Sequence, residues 1–270
     1  MSHALTIARK DVADAVRSLA LWAVVGLFAL LTAVVVGLPA LLGDDAFTFR
    51  EAIGAVVQVA GLIVPLVGLL IAYHSITAER ESGSLRVLLS LPPSRRAIVA
   101  GKLLGRGAVV VLAGVVAVLL MSVVGGLLHG TLPVGSVLAL GGSVTLLGLS
   151  FVGVAIGVSA AVSTRGRAMA VTVGFYTVAV LFWNLLLQAV QFAGVRLGVL
   201  TAGATPVWLR ALSVLPPNKA FPRAFSGLQE GTLVGGSLVT SAALALVVMV
   251  AWVVLPPVLG YLRFRSADLG

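Results

Sequence analysis

Residues 107–128 read GAVVVLAGVVAVLLMSVVGGLL, a run without a single charged side chain. A helix needs roughly 20 mostly apolar residues to cross a bilayer core of about 30 Å, so this run predicts a membrane span. Working outward in both directions, runs of the same kind recur at 20–42, 53–76, 134–162, 168–191 and 234–261. The fourth in chain order, 134–162, is long enough to tilt or to extend beyond the lipid. The composition agrees: 60% of the 270 residues are hydrophobic and 10% charged, against about 25% charged in soluble domains. The fold class expected is an all-α integral membrane protein of six transmembrane helices, organised as a single transmembrane domain over 1–270.

Residues 1–19 precede the first run. They place Leu5, Ala8, Val12, Ala15, Val16 and Leu19 on one helical face and Lys10, Asp14 and Arg17 on another, which predicts an interfacial helix. The run that follows is longer than the apolar core of a cleavable signal peptide, so it reads as an uncleaved helix. Of the 18 Lys and Arg residues, 13 fall in 1–19, 77–106, 163–167 and 262–270. Under the positive-inside rule those segments are cytoplasmic, giving a multi-pass plasma-membrane protein with both termini inside. The same rule, with anionic lipid headgroups, accounts for the net charge of +9 without nucleic acid.

Several functions are disfavoured. With no cysteine there is no disulfide framework, thiolate site or cysteine nucleophile. The nine acids all lie at or beyond the ends of the runs, whereas an ion-coupled carrier keeps ionisable groups inside its spans. His3, His74 and His129 have no metal-ligand spacing. No catalytic set, metal site or cofactor is expected in the chain. A phosphate loop of the type G-x-x-x-x-G-K-[ST] is also absent, so ATP and magnesium would belong to a partner.

Two connections are long: 77–106, cytoplasmic, and 192–233, external, with short helical elements expected among Pro206, Trp208, Pro216, Pro217 and Pro222. The first contains TAERESGSLRVLLSLPPSRRAIVAGKLLG over Thr77–Gly105. Glu79, Arg80 and Glu81 put both charge signs just past the second run, Gly83 can break the helix, and Leu85, Leu88 and Leu89 form a small apolar face. Pro92 and Pro93 stop that helix, and Ser94 is placed to cap the next. The result is a short stiff helix below the membrane, shaped to dock a partner; the plain alternative is a basic loop that satisfies the positive-inside rule.

In these residues the chain resembles the permease subunits of ABC-2 type (type V) exporters. The resemblance rests on Glu79-Arg80-Glu81-Ser82-Gly83-Ser84-Leu85, Leu88-Leu89, Pro92, Ser94-Arg95 and Gly101-Lys102. It implies that this segment is a coupling helix seated on a separate ABC ATPase. On that reading Glu79, Arg80, Glu81, Gly83, Ser84, Leu85, Leu88, Leu89, Pro92 and Arg95 form the ATPase-coupling site. It also implies a second permease copy, as homodimer or pseudo-dimer. Leu215-Pro216-Pro217-Asn218-Lys219-Ala220-Phe221 looks like a segment of the subgroup that includes the nitrous oxide reductase maturation permease, but the leading residues are ordered differently and substrate stays open.

Asn184, Gln188 and Gln191 recur at i, i+4 and i+7 on one face of the fifth run, extended by Thr177, with Gln58 at similar depth in the second. Amides facing lipid go unsatisfied, so these four are candidates for the translocation path, with interhelical hydrogen bonding as the alternative. Gly153 and Gly157 are the G-x-x-x-G pair inside a span, alongside Gly101/Gly105 and Gly231/Gly235 elsewhere. The function expected is an ATP-driven exporter permease. The alternative is a non-transporting membrane scaffold for an ATPase or an assembly factor, such as one for metal-site maturation.

Overall fold

The computed structural model describes residues 6, 9, 12–13, 19–42, 47–82, 94–201, 203–235 and 237–266, and all regular structure among them is helical. Among the described residues five helices are long and apolar enough to cross a membrane: Phe49–Glu81, Arg95–His129, Val134–Ala161, Arg165–Arg196 and Ala242–Arg265. Ahead of them α1 (Leu19–Thr32) runs through a π-helical turn (Ala33–Gly37) into α2 (Leu38–Leu41). The helix at Phe49 consists of α3 (Phe49–Ala72), a turn, and α4 (Thr77–Glu81); α5 is Arg95–His129 and α6 Val134–Ala161. The helix at Arg165 is α7 (Arg165–Tyr176), a π-helical stretch (Thr177–Phe182) and α8 (Trp183–Arg196). Then come α9 (Val207–Ser213), α10 (Pro217–Glu230), a 3₁₀ turn (Leu238–Thr240) and α11 (Ala242–Arg265).

Local chemistry sets the ends. Thr48 and Glu51 form a capping box at the start of α3, each satisfying the other's backbone N–H. The Ser94 side chain caps α5 by accepting from Ala97 N, as its position predicts, and Thr164 caps α7 by accepting from Arg167 N. The last helix starts at Ala242 rather than at 234. Val234 lies in a bend, Leu238 and Val239 in a 3₁₀ turn, and Ser241 caps α11 by accepting from Leu244 N at 3.2 Å.

α6 is the centre of the bundle, packed on α3, α5, α10 and α11. Of its most apolar stretch 67% is buried, against 17% for Arg165–Arg196. Small residues make this possible. A Cβ on Gly153 would stand 2.5 Å from Trp252 O, and one on Gly157 would strike the backbone of Pro256; from the other side, Gly260 faces the backbone of Gly157. The pair read from the sequence is therefore the crossing point of α6 and α11. Ser150 adds a polar tie there, its Oγ lying 2.9 Å from Met249 O. Gly231, by contrast, ends α10 at φ +68° and makes no helix contact.

Candidate functional site

Four helices meet where the second span ends. α3 stops at Ala72, and a turn through Tyr73–Ile76 carries the chain into α4. The turn is held by α6: Ser159 Oγ accepts from Ile76 N at 3.1 Å and from Thr77 N at 3.2 Å, and Ile76, Thr77 and Ser159 are all fully buried. Donors that would be orphaned by the break thus find an acceptor on the neighbouring helix.

From this anchored turn three successive side chains reach three different directions. Glu79 pairs with Lys102 of α5 at 2.6 Å, with side chains 22% and 8% exposed. Arg80 donates from Nη1 to Val162 O at the end of α6 at 3.0 Å, and its guanidinium lies 5.2 Å over the ring of Phe264 in α11. Glu81 accepts the backbone N–H of Arg165 at 2.7 Å and pairs with Arg165 Nε at 3.0 Å, tying α4 to the first residue of α7.

Across the hairpin, Arg95 stacks on the same Phe264 ring, also at 5.2 Å, and donates to the carbonyls of Phe264 and Arg265. Phe264 is fully buried. Both stems of the hairpin are therefore held against one ring at the end of the last long helix, by cation–π contact and hydrogen bonds together. Arg96 repeats the contact on Tyr261 at 5.7 Å.

The structure thus gathers Glu79, Arg80, Glu81 and Arg95. Gly83, Ser84, Leu85, Leu88, Leu89 and Pro92 lie outside the described residues. Sequence reasoning did not assign Ser159, Arg165 or Phe264 to this site, and it quoted Lys102 in a motif without giving it a partner.

The amide stripe has a different character. α8 buries none of its residues; Asn184 and Gln188 are exposed on the chain's surface, as is Gln58 on α3. Gln191 is part-buried and donates to Ala204 O at 3.2 Å. The π-helical stretch Thr177–Phe182 interrupts the 3.6-residue spacing, so the face does not continue to Thr177 as a straight count implies. No hydrogen bond joins Gln58 to the other three among the described residues. The same surface carries Leu181, Phe182, Leu185, Leu186 and Val190, all exposed.

Long apolar helices packed into one bundle are the architecture of a multi-pass membrane protein. The sequence profile of the family described as "ABC-2 family transporter protein" matches residues 5–269, and the chain belongs to that family. Among curated proteins it is similar to the probable ABC transporter permease protein NosY of Stutzerimonas stutzeri, 32% identical over 98% of this chain and 99% of the relative. It is also similar to the probable ABC transporter permease protein NosY of Pseudomonas aeruginosa, 33% identical over 68% of this chain and 70% of the relative. The chain is a multi-pass membrane permease component of an ABC transporter, a role that in this family is non-catalytic and goes with an ABC ATPase.

Proposed function

We propose that this permease couples ATP hydrolysis by a separate nucleotide-binding subunit to the export of a substrate across the cell membrane. It works as a dimer, of two identical chains or of two related ones. Residues 84–90 act as the coupling helix that docks in the ATPase through Leu85, Leu88 and Leu89. With α1–α2 counted as a crossing the chain passes six times, with both termini in the cytoplasm. Gln58, Asn184, Gln188 and Gln191 border the path between the two permeases, where the unburied face of α8 finds its cover.

One observation carries this reading: consecutive side chains at the root of the hairpin are each bound to another helix. A push on the hairpin is thereby delivered to α5, α6, α7 and α11 at once, which is what a rigid-body switch requires. The test is Leu85→Asp with Leu88→Asp in the complex reconstituted with its ATPase. A cysteine introduced at Gln188 and spin-labelled in both permeases reports their separation, and the chain has no native cysteine to interfere. ATP hydrolysis should continue in the double variant while the nucleotide-driven change in separation disappears; an unaltered change would reject the assignment.

A further inference from the structure

α10 ends where two spans begin. Gln229 in its last turn donates to Ser136 Oγ, at the start of α6, at 2.8 Å, and a Cβ on Gly227 would run into Ala242, at the start of α11. The start of two apolar spans is the level at which the bilayer core gives way to headgroups, and on the six-crossing topology proposed above it is the external side. There the end of α10, the turn that follows it and the start of α11 enclose a polar cavity of about 300 Å³, lined among others by Arg223, Ser226, Glu230, Thr232, Thr240 and Ser241.

This cavity carries charge of both signs. Arg223 and Glu230 stand seven residues apart, hence on one face of α10, with their Cα atoms separated by ~10.5 Å at 1.5 Å per residue. They do not pair with each other, and among the described residues neither has an ionic partner elsewhere. Their contacts are to neutral groups: Arg223 Nη1 lies 3.5 Å from Val239 O, and Thr232 Oγ1 donates to Glu230 Oε2 at 3.3 Å. Ser226, Thr240 and Ser241 donate their hydroxyl protons to the carbonyls of Arg223, Ser237 and Leu238, at 3.1, 3.0 and 2.8 Å. The guanidinium and the carboxylate are therefore the groups left to bind.

A lone anion in the cavity meets the carboxylate of Glu230, and a lone cation meets the guanidinium of Arg223, each at a Coulombic cost. A ligand that carries both signs turns both contacts to advantage. Charge-assisted hydrogen bonds of about 2.8 Å at each end leave roughly 5 Å of the ~10.5 Å between the two positions, the span from phosphate to ammonium in an extended phosphoethanolamine. We infer that this cavity binds a zwitterion of the phosphoethanolamine type, as a free molecule or as a lipid headgroup. Its phosphate lies on the planar fork of Arg223, and its primary ammonium donates to the carboxylate of Glu230.

Binding needs the permease alone, so it is measured by calorimetry in nanodiscs of phosphatidylcholine, whose quaternary ammonium has no N–H to donate. O-phosphoethanolamine is titrated, and separately inorganic phosphate and ethanolamine. Phosphoethanolamine is expected to bind saturably, and each of its halves at least tenfold more weakly. Arg223→Gln and Glu230→Gln should each lower its affinity roughly tenfold or more, while Arg210→Gln in α9 leaves it unchanged. Exchanging the charges, Arg223→Glu with Glu230→Arg, should restore binding, because a free zwitterion can turn round in the cavity. Discs that contain phosphatidylethanolamine identify the source: a lipid headgroup fills the cavity first and added phosphoethanolamine gives no heat, whereas a soluble ligand binds equally in both discs. No binding in phosphatidylcholine discs, phosphate binding as tight as that of phosphoethanolamine, or unchanged affinity in both single variants overturns the site. Should the variants fail to fold, the comparison of phosphoethanolamine with phosphate and ethanolamine on the unaltered chain decides alone.

Discussion

The carboxylate of Glu81 holds both the backbone N–H and the side-chain Nε of Arg165, at 2.7 and 3.0 Å. The end of α4 is thereby fastened to the first residue of α7, 84 positions away. Both side chains are part-exposed, so the ion pair is worth no more than about 1 kcal/mol of stability. On the coupling reading its role is mechanical: α7 begins the long helix that, among the described residues, the chain's own core covers least.

Glu81→Ala should therefore leave yield and melting temperature nearly unchanged while cutting the link to α7 and α8. The nucleotide-driven change in separation between labels at position 188 should shrink by more than half, with ATP hydrolysis preserved. An undiminished change would mean that motion reaches α8 by another route.

Glu79 and Lys102 behave differently because they are mostly buried. Breaking a buried pair by removing one partner typically costs about 3–5 kcal/mol, whereas replacing both partners together by apolar side chains costs much less. Lys102→Met alone should lower the melting temperature strongly, and Glu79→Met added to it should restore much of the loss. A double variant as unstable as the sum of the singles would show that the pair is not the source of the effect.

Gly157 tests the α6–α11 crossing. Any side chain there meets the backbone of Pro256, which cannot step aside as a flexible side chain could. Gly157→Val should cost more than the roughly 1–3 kcal/mol of ordinary overpacking, seen as loss of monodisperse protein in detergent. On the same helix Gly142→Ala meets nothing within 4 Å and should be silent; equal damage from both would point to general helix disruption.

What the sequence makes readable is whatever it encodes locally. Apolar runs located the five long helices, and the residue type at Ser94 foretold its cap. The Glu79-Arg80-Glu81 motif could be singled out, yet its partners could not: nothing near Arg165 or Phe264 points to residues some 80 to 180 positions earlier, and Phe264 reads like any aromatic at a helix end. The gap between apolar runs marks 192–233 as an external connection. That it is tied to α8 and α11 by two indole-to-carbonyl bonds, from Trp183 and Trp252, is announced by no local pattern. The stretch before Ala242 misled because apolar letters alone do not distinguish a span from an exposed loop: Val234 is 79% and Leu238 80% exposed.

Asn184 and Gln188 separate a path from a seam. Both are exposed on a helix that buries nothing within its own chain, amid leucine, valine and phenylalanine side chains that suit lipid or a second helix. Two unpaired amides in lipid would be unsatisfied, so in the proposed dimer they meet either a polar path or the amides of the second permease. In the seam they bond to each other for roughly 0.6 kcal/mol apiece. Asn184→Leu with Gln188→Leu would then weaken dimerisation slightly or, by improving apolar packing, strengthen it, with nucleotide-driven motion retained. In a path, the same variant leaves the dimer intact and removes water access, so a cysteine at Gln58 loses reactivity toward a charged, membrane-impermeant maleimide by about tenfold while its reactivity toward an uncharged one persists. An unchanged labelling ratio together with an altered dimer fraction assigns the stripe to the seam and ends its candidacy as a path.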